Sequence, residues 1–274
     1  MKNLWINRAL AAEKKLLYVA LAALMLISCD PNAPKIPSKD KKMLDKVSTG
    51  MLSVLGQKQK DVKATMKELG FKSFAGGFAP ERLGLPAKTA ADGLIFAYEN
   101  EAWDAYMDAM LSEDFEVLVD ALNESKAILL MVELTFDDAN KVNGGYAYFI
   151  ASQEIKNVNN IYLNCSKNIF LSLDKNKEWS GSLCEAEDWE KESEYENYAS
   201  AKKRDKFEED FAEYEYPFAF ETGADDFDKT SRRTYGIRWS SDASVDEKEM
   251  EGLVMASIEF GLESSPEPEP EPEP

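Results

Sequence analysis

The stretch from Ala127 to Ala151 constrains the fold most. Two runs rich in apolar, β-branched and aromatic residues, AILLMVELTF over 127–136 and YAYFIA over 146–151, flank the turn-forming residues DDANKVNGG. Two such runs joined by a short Asn, Asp and Gly loop read as an antiparallel hairpin. Leu94 to Tyr98, Ile161 to Leu163, Ile169 to Leu173 and Trp179 to Leu183 read as further short strands. Alternation at Tyr235, Ile237 and Trp239, and at Val254, Ala256, Ile258 and Phe260, adds two more near the end of the chain. Helical spacing appears at Met43, Leu44, Val47, Met51 and Leu55, and again at Val62, Met66 and Leu69 before Gly70. It recurs at Trp103, Tyr106, Met107 and Met110, then at Phe115, Leu118, Val119 and Leu122 with Ser112 as the N-cap, and at Phe207, Phe211 and Tyr214. Residues 70–93 read as an irregular loop with one short strand. The class is α+β: an antiparallel sheet with several short helices packed on it.

Ahead of this body lies a different kind of segment. Lys2, Arg8, Lys14 and Lys15 stand against a single acidic residue, Glu13, and LLYVALAALMLI follows over 16–27 without a charge. As a helix this run reaches about 18 Å, short of the roughly 30 Å hydrocarbon core of a bilayer. It reads as the apolar region of a secretory signal. The run ends in Leu26-Ile27-Ser28-Cys29, which resembles the lipobox of bacterial lipoproteins. That resemblance implies a diacylglyceryl group on the Cys29 thiol, cleavage before it, and acylation of the new amino terminus. Two or more acyl chains, at about 0.8 kcal/mol per buried CH₂, hold a protein on a membrane without a spanning helix. Asp30 resembles an inner-membrane retention signal of some bacteria, whereas others sort differently. The expected address is the cell envelope, with the outer membrane favoured and the face left open.

The resulting division is a signal peptide over 1–28, a lipidated tether over 29–40, a folded body over 41–263, and a tail from 264 to 274. The tether holds three prolines in DPNAPKIPSKD, and the tail SSPEPEPEPEP is expected to be extended and charged. The body is read as one domain or as two small subdomains dividing near residue 152.

Residues 1–28 hold four of the 32 basic and one of the 51 acidic residues, so the chain beyond them carries about −22. Such a surface repels phosphate backbones, and nucleic acid is excluded as a partner. With Cys29 spent on lipid, Cys165 and Cys184 remain, and an exported protein meets an oxidising compartment. A disulfide between them is expected, closing a loop worth about 3 kcal/mol in the chain-entropy model.

The chain has no histidine. Ser-His-Asp and Cys-His catalysis, histidine-ligated zinc and histidine-ligated haem are therefore excluded. It also lacks a GxxxxGK[ST] loop and a GxGxxG after a strand. No cofactor and no metal site is expected. Ser-x-x-K occurs at Ser38 to Lys41 and at Ser200 to Lys203 without the companion motifs of a serine-lysine nucleophile. The loop from Asp138 to Gly144 carries oxygen ligands, but not the calcium-loop spacing, and reads as a hairpin turn.

Residues 185–228 hold 17 acidic, 5 basic and 10 aromatic residues. Paired carboxylates can cleave glycosidic bonds and exposed rings can stack on sugars. Trp189, Tyr195 and Tyr198 are the candidate sugar contacts, with Glu209, Asp210 and Asp225 as carboxylates. The plainer reading of so many charges is a solvated face.

Finally, the segments GQKQKDVKATMKELG, beginning at Gly56, and MVELTFDDANKV over 131–142 resemble small helix-helix-sheet lipoproteins related to the outer-membrane assembly accessory BamE and to beta-lactamase-inhibitor-like domains. Phe71 stands where that family has proline, and DDAN replaces its Asp-Gly turn. The resemblance implies a non-catalytic scaffold whose sheet contacts partner proteins. The leading expectation is thus a lipid-anchored envelope protein that binds or supports an envelope protein or a glycan. The alternative is a carboxylate-dependent, glycan-acting protein.

Overall fold

A computed structural model describes residues 35–75, 94–112, 114–185, 193–195, 200–214, 217–240 and 252–264. The signal peptide over 1–28, Cys29, the tether up to residue 34 and the Pro-Glu run from 265 lie outside the described residues.

Among the described residues six α-helices and nine strands follow in order. Helix α1 (Ser38–Gly50) runs into a 3-10 turn (Met51–Val54) and α2 (Gln59–Glu68), then come β1 (Phe71–Ala75) and β2 (Leu94–Tyr98). Next are α3 (Glu101–Ser112), α4 (Glu116–Ser125), β3 (Leu129–Phe136), β4 (Val142–Ser152) and α5 (Val158–Ser172). The last elements are β5 (Glu178–Glu185), β6 (Ser193–Tyr195), α6 (Ala201–Glu213), β7 (Pro217–Asp226), β8 (Ser231–Ser240) and β9 (Leu253–Ser264). All nine strands join one antiparallel sheet in the order β1-β2-β3-β4-β9-β8-β7-β5-β6. Because β4 pairs with β9 along its length, one sheet joins the described strands on both sides of residue 152.

Strand side chains alternate between faces, so the strands β2, β3 and β4 serve two cores. The inner face presents Phe96, Leu130, Val132, Ala147, Phe149, Val254, Ile258, Ile237, Trp239 and Trp179 to α1, α2, α5 and α6. Phe170 of α5 meets the Trp179 ring edge-on at 4.3 Å, and Phe211 of α6 meets Trp239 at 5.2 Å. On the outer face, Trp103, Tyr106, Leu118 and Leu122 from α3 and α4 cover Leu129, Met131, Tyr148 and Ile150. Each such side chain stabilises the fold by about 1.5–3 kcal/mol when fully buried. The α3–α4 pair packs on β3 and β4, and its cluster reaches only the start of β9, at Leu253 and Met255.

Several expectations are corrected. Residues 161–163 and 169–172 belong to α5, not to strands, and Leu173 is the extended residue that follows it. The buried positions Val158, Tyr162, Cys165, Ser166, Ile169 and Phe170 follow helical spacing across the polar interruptions, whereas the two three- to five-residue apolar runs suggested strands. Cys165 and Cys184, expected to form a disulfide, are both buried and no bond joins them. Cys165 lies on α5 in the inner core, while Cys184 follows the inward-facing Leu183 on β5 and so points to the other side of the sheet. Burial, with the Asp45 charge adding to it, pushes the Cys165 thiol up to about 12 against the opposing Ser48 hydrogen bond. The first described helix starts at Ser38, ahead of Lys41, and the last described strand ends at Ser264. Ser112 closes α3, its hydroxyl donating to Asp108 O, and the start of α4 is held instead by Asp114, whose Oδ1 accepts from Glu116 N at 3.1 Å.

Asp40 shows why the body begins so early. Fully buried in the first turn of α1, its Oδ2 accepts from Ile128 N at 3.1 Å and from Asn100 Nδ2 at 3.3 Å. Asn100 in turn donates to Ile128 O and accepts from Trp103 N at the start of α3. One carboxylate thereby ties α1, α3 and β3 together.

Candidate functional site

Among the described residues, the sheet's outer face is covered unevenly. Helices α3 and α4 roof the side around β3 and β4, while a trough of about 940 Å³ opens over β4, β9, β8, β7 and β5. Pockets that hold small molecules run from about 300 to 1,000 Å³. Cross-strand register sets its floor in rows. One row reads Tyr146, Glu259, Gly236, Thr222 and Ser180 across the five strands. The next toward the strand ends reads Gly144, Gly261, Thr234, Ala224 and Glu178, with Thr135 and Asn143 at its rim.

The floor is flat in the middle because Gly236 and Gly261 contribute no side chain. A Cβ at Gly236 would sit 3.6 Å from the Phe220 ring, ordinary contact distance, so the glycine leaves space rather than relieving a clash. Phe220 borders this gap and is 40% exposed. Arg238 stands over the Phe218 and Phe220 rings at 6.0 and 5.9 Å. On the opposite wall Tyr146 lies parallel to Tyr148, with ring centroids 6.2 Å apart.

The polar groups are arranged in hydrogen-bonded pairs. Tyr146 donates to Glu259 Oε1 at 2.8 Å. Desolvation, then the hydrogen bond to Glu259 and the Glu259 and Glu133 charges, push the Tyr146 hydroxyl up to about 12, so at neutral pH it is a donor and not a base. Ser180 and Thr222 share a hydrogen bond of 2.9 Å, and Thr135 donates to Asn143 Oδ1 at 2.8 Å. Arg232 and Glu178 pair at 3.0 Å near one end. Such a surface offers hydroxyls, an amide and carboxylates at fixed places, with two aromatic faces between them.

The residues singled out from sequence do not gather here. Trp189 and Tyr198 lie outside the described residues, and Tyr195 is placed only as a strand residue of β6 opposite Gly181. Glu209 is exposed on α6, Asp210 pairs with Lys206, and Asp225 is buried on the inner face with Arg233. These carboxylates therefore occupy a helix surface and the core rather than one cleft. The Ser-x-x-K at Ser200 is a helix start: Ser200 Oγ accepts from Lys203 N at 3.4 Å. The turn after β3 is likewise self-contained, with Asp137 Oδ1 accepting from Ala139 N at 3.0 Å and Lys141 N at 2.8 Å.

What sequence reading missed is β7. Its inward residues are Ala219, Glu221, Gly223 and Asp225, while Phe220 and Thr222 face out. The usual apolar-in, polar-out alternation is thus inverted, and the strand disappears into the acidic belt around it. The available signal was the period itself, Phe218, Phe220, Thr222, in a segment of alternating sides.

Among the described residues no helix is long and apolar enough to cross a membrane, and no group of three or more His, Cys, Asp or Glu is placed to hold a metal ion. Together the fold and the trough define an α+β protein with a half-covered antiparallel sheet. The chain matches no family model, no curated protein and no solved structure.

Proposed function

We propose that this chain is a lipid-anchored cell-envelope protein that binds a ligand on the open half of its sheet and does not transform it. The observation that carries the binding role is the asymmetric cover of the outer face, closed by α3 and α4 on one side and left as a preformed trough on the other. Leaving a sheet face open forgoes the burial that a further helix would supply, and a preformed polar concavity is the usual form of a ligand site. The anchor rests on the lipobox at Leu26 to Cys29 behind a positively charged start and a short apolar run. The resemblance of residues 56–69 and 131–142 to small envelope scaffolds points in the same direction.

Two measurements test this reading. In cells fed an alkyne-labelled fatty acid, the wild-type protein is expected to take up label and to partition with detergent, and Cys29→Ser to do neither; an unlabelled, aqueous wild-type protein contradicts the anchor. Hydroxyl-radical footprinting of the full chain in detergent, with and without the isolated envelope fraction of the producing cells, tests the site. Protection is expected at Tyr146 and Phe220 but not at Leu111, which is 79% exposed on α3. Equal labelling of all three with and without envelope contradicts the binding role.

A further inference from the structure

We infer that the trough's ligand is a neutral oligosaccharide, stacked on Phe220 and Tyr146 and hydrogen-bonded by the groups between them. This rests on the binding role proposed above and names its ligand class. The argument starts from what the floor rejects. Among the described residues β4, β9, β8 and β7 have strand neighbours on both sides and β5 is covered by β6 over Gly181–Leu183, so beside the trough open main chain is left only at Glu178–Ser180 of β5, too short a stretch to carry a peptide across the trough by strand addition. An anionic ligand would face Glu259 on the floor and a chain carrying about −22 beyond residue 28. A lipid tail would have to desolvate the Tyr146–Glu259 and Ser180–Thr222 pairs with no replacement hydrogen bonds.

What remains complementary is a flat, uncharged ligand rich in hydroxyls. Sugar rings have apolar C–H faces that sit on aromatic rings and equatorial hydroxyls that both donate and accept. Phe220 offers an exposed ring beside the bare backbone at Gly236, and Tyr146 offers a second ring three strand intervals away, about 14 Å at the usual strand spacing. Between and beside them, the Glu259 carboxylate accepts and the Ser180 and Thr222 hydroxyls do both. Two platforms so far apart suit an oligomer rather than a single sugar.

The test is calorimetric titration of the full chain, held in a detergent without a sugar head group, with maltohexaose, cellohexaose, xylohexaose, mannohexaose and chitohexaose. At least one is expected to bind saturably at millimolar concentration or below. Phe220→Ala and Gly236→Leu are each expected to weaken that binding tenfold or more, and Leu111→Ala to leave it unchanged. If no hexasaccharide binds, or if binding is indifferent to both trough substitutions, the inference is overturned. Footprint protection by envelope material in the absence of hexasaccharide binding would overturn the sugar while leaving the binding role intact. Loss of both would remove the two together.

Discussion

Arg204 on α6 donates through its guanidinium to the carboxylate of Glu221 on β7, and both are sealed in the inner core. Glu221 also accepts from Ser166 and from Trp179 Nε1 at 3.3 Å, while the Arg204 guanidinium lies 4.5 Å from the centre of the Trp179 ring. Burial pushes the Glu221 carboxyl up, and Arg204 with these hydrogen bonds opposes the shift. This cluster pins α5, α6, β5 and β7 to one another directly behind the trough floor. Breaking one side of a buried ion pair leaves the other charge uncompensated, at a cost of about 3–5 kcal/mol. Arg204→Met alone is therefore expected to lower denaturant stability by about that amount, and Arg204→Met with Glu221→Leu to recover most of it. A double variant as unstable as the single one would show that the pair itself, not the stranded charge, holds the fold.

Asp40 gives a pH signature. Desolvation raises its carboxyl above the ordinary 3.8, although the Ile128 and Asn100 hydrogen bonds and Lys39 oppose the shift. A carboxyl raised on folding contributes stability that is full below its unfolded value and is lost as pH rises through the folded value. In Asp40→Asn the amide oxygen can keep both hydrogen bonds without the charge. The melting temperature of the wild type relative to Asp40→Asn is expected to fall as pH rises above the ordinary carboxyl value of 3.8. A difference that stays constant or rises over that range would contradict the assignment.

The two buried thiols predict indifference to redox conditions. With Cys165 on the inner side and Cys184 on the outer side of the sheet, reductant should leave the melting temperature unchanged. Alkylation of Cys165 under native conditions should proceed only as fast as the protein opens, because the thiolate is scarce and shielded. Recovery of a Cys165–Cys184 cross-linked peptide from unreduced protein would refute this placement.

Gly145 is a steric prediction. A Cβ there would lie 2.3 Å from the Glu133 carbonyl oxygen and 3.0 Å from the side chains of Leu134 and Phe260. The adjacent strand would have to move, so Gly145→Ala should cost about 1–3 kcal/mol, as overpacking does. An Ala variant of wild-type stability would mean that β3 and β4 sit farther apart than described.

The parts of the fold legible in sequence are those where a single period runs uninterrupted. The hairpin of β3 and β4 is visible because Leu129 to Phe136 is buried nearly throughout and the turn formers Asp137 to Lys141 lead into the next strand. The alternation at Tyr235 and Val254 marks β8 and β9 for the same reason. Helix α5 was hidden because Asn, Ser and Lys on its solvent side cut its apolar stripe into short pieces. The trough was hidden for a deeper reason: it is made of residues brought into one row by register across five strands, and Tyr146, Glu259, Gly236, Thr222 and Ser180 are distant in the chain. Composition points to the acidic belt, yet among its described residues it is β7 that reaches the trough, through Phe220, Thr222, Gly223 and Ala224.

The open half of the sheet is tested most directly by filling it. Gly236→Leu adds a side chain where a Cβ meets only ordinary contacts, 3.6 Å from the Phe220 ring and 4.0 Å from Thr222 Cγ2, so the fold should accept it. The decisive measurement is the footprint of Tyr146 in the presence of the envelope fraction, compared between wild type and Gly236→Leu at equal melting temperature. Protection in the wild type that disappears in the variant is the predicted result. Protection that survives in Gly236→Leu would place the ligand elsewhere and contradict the account.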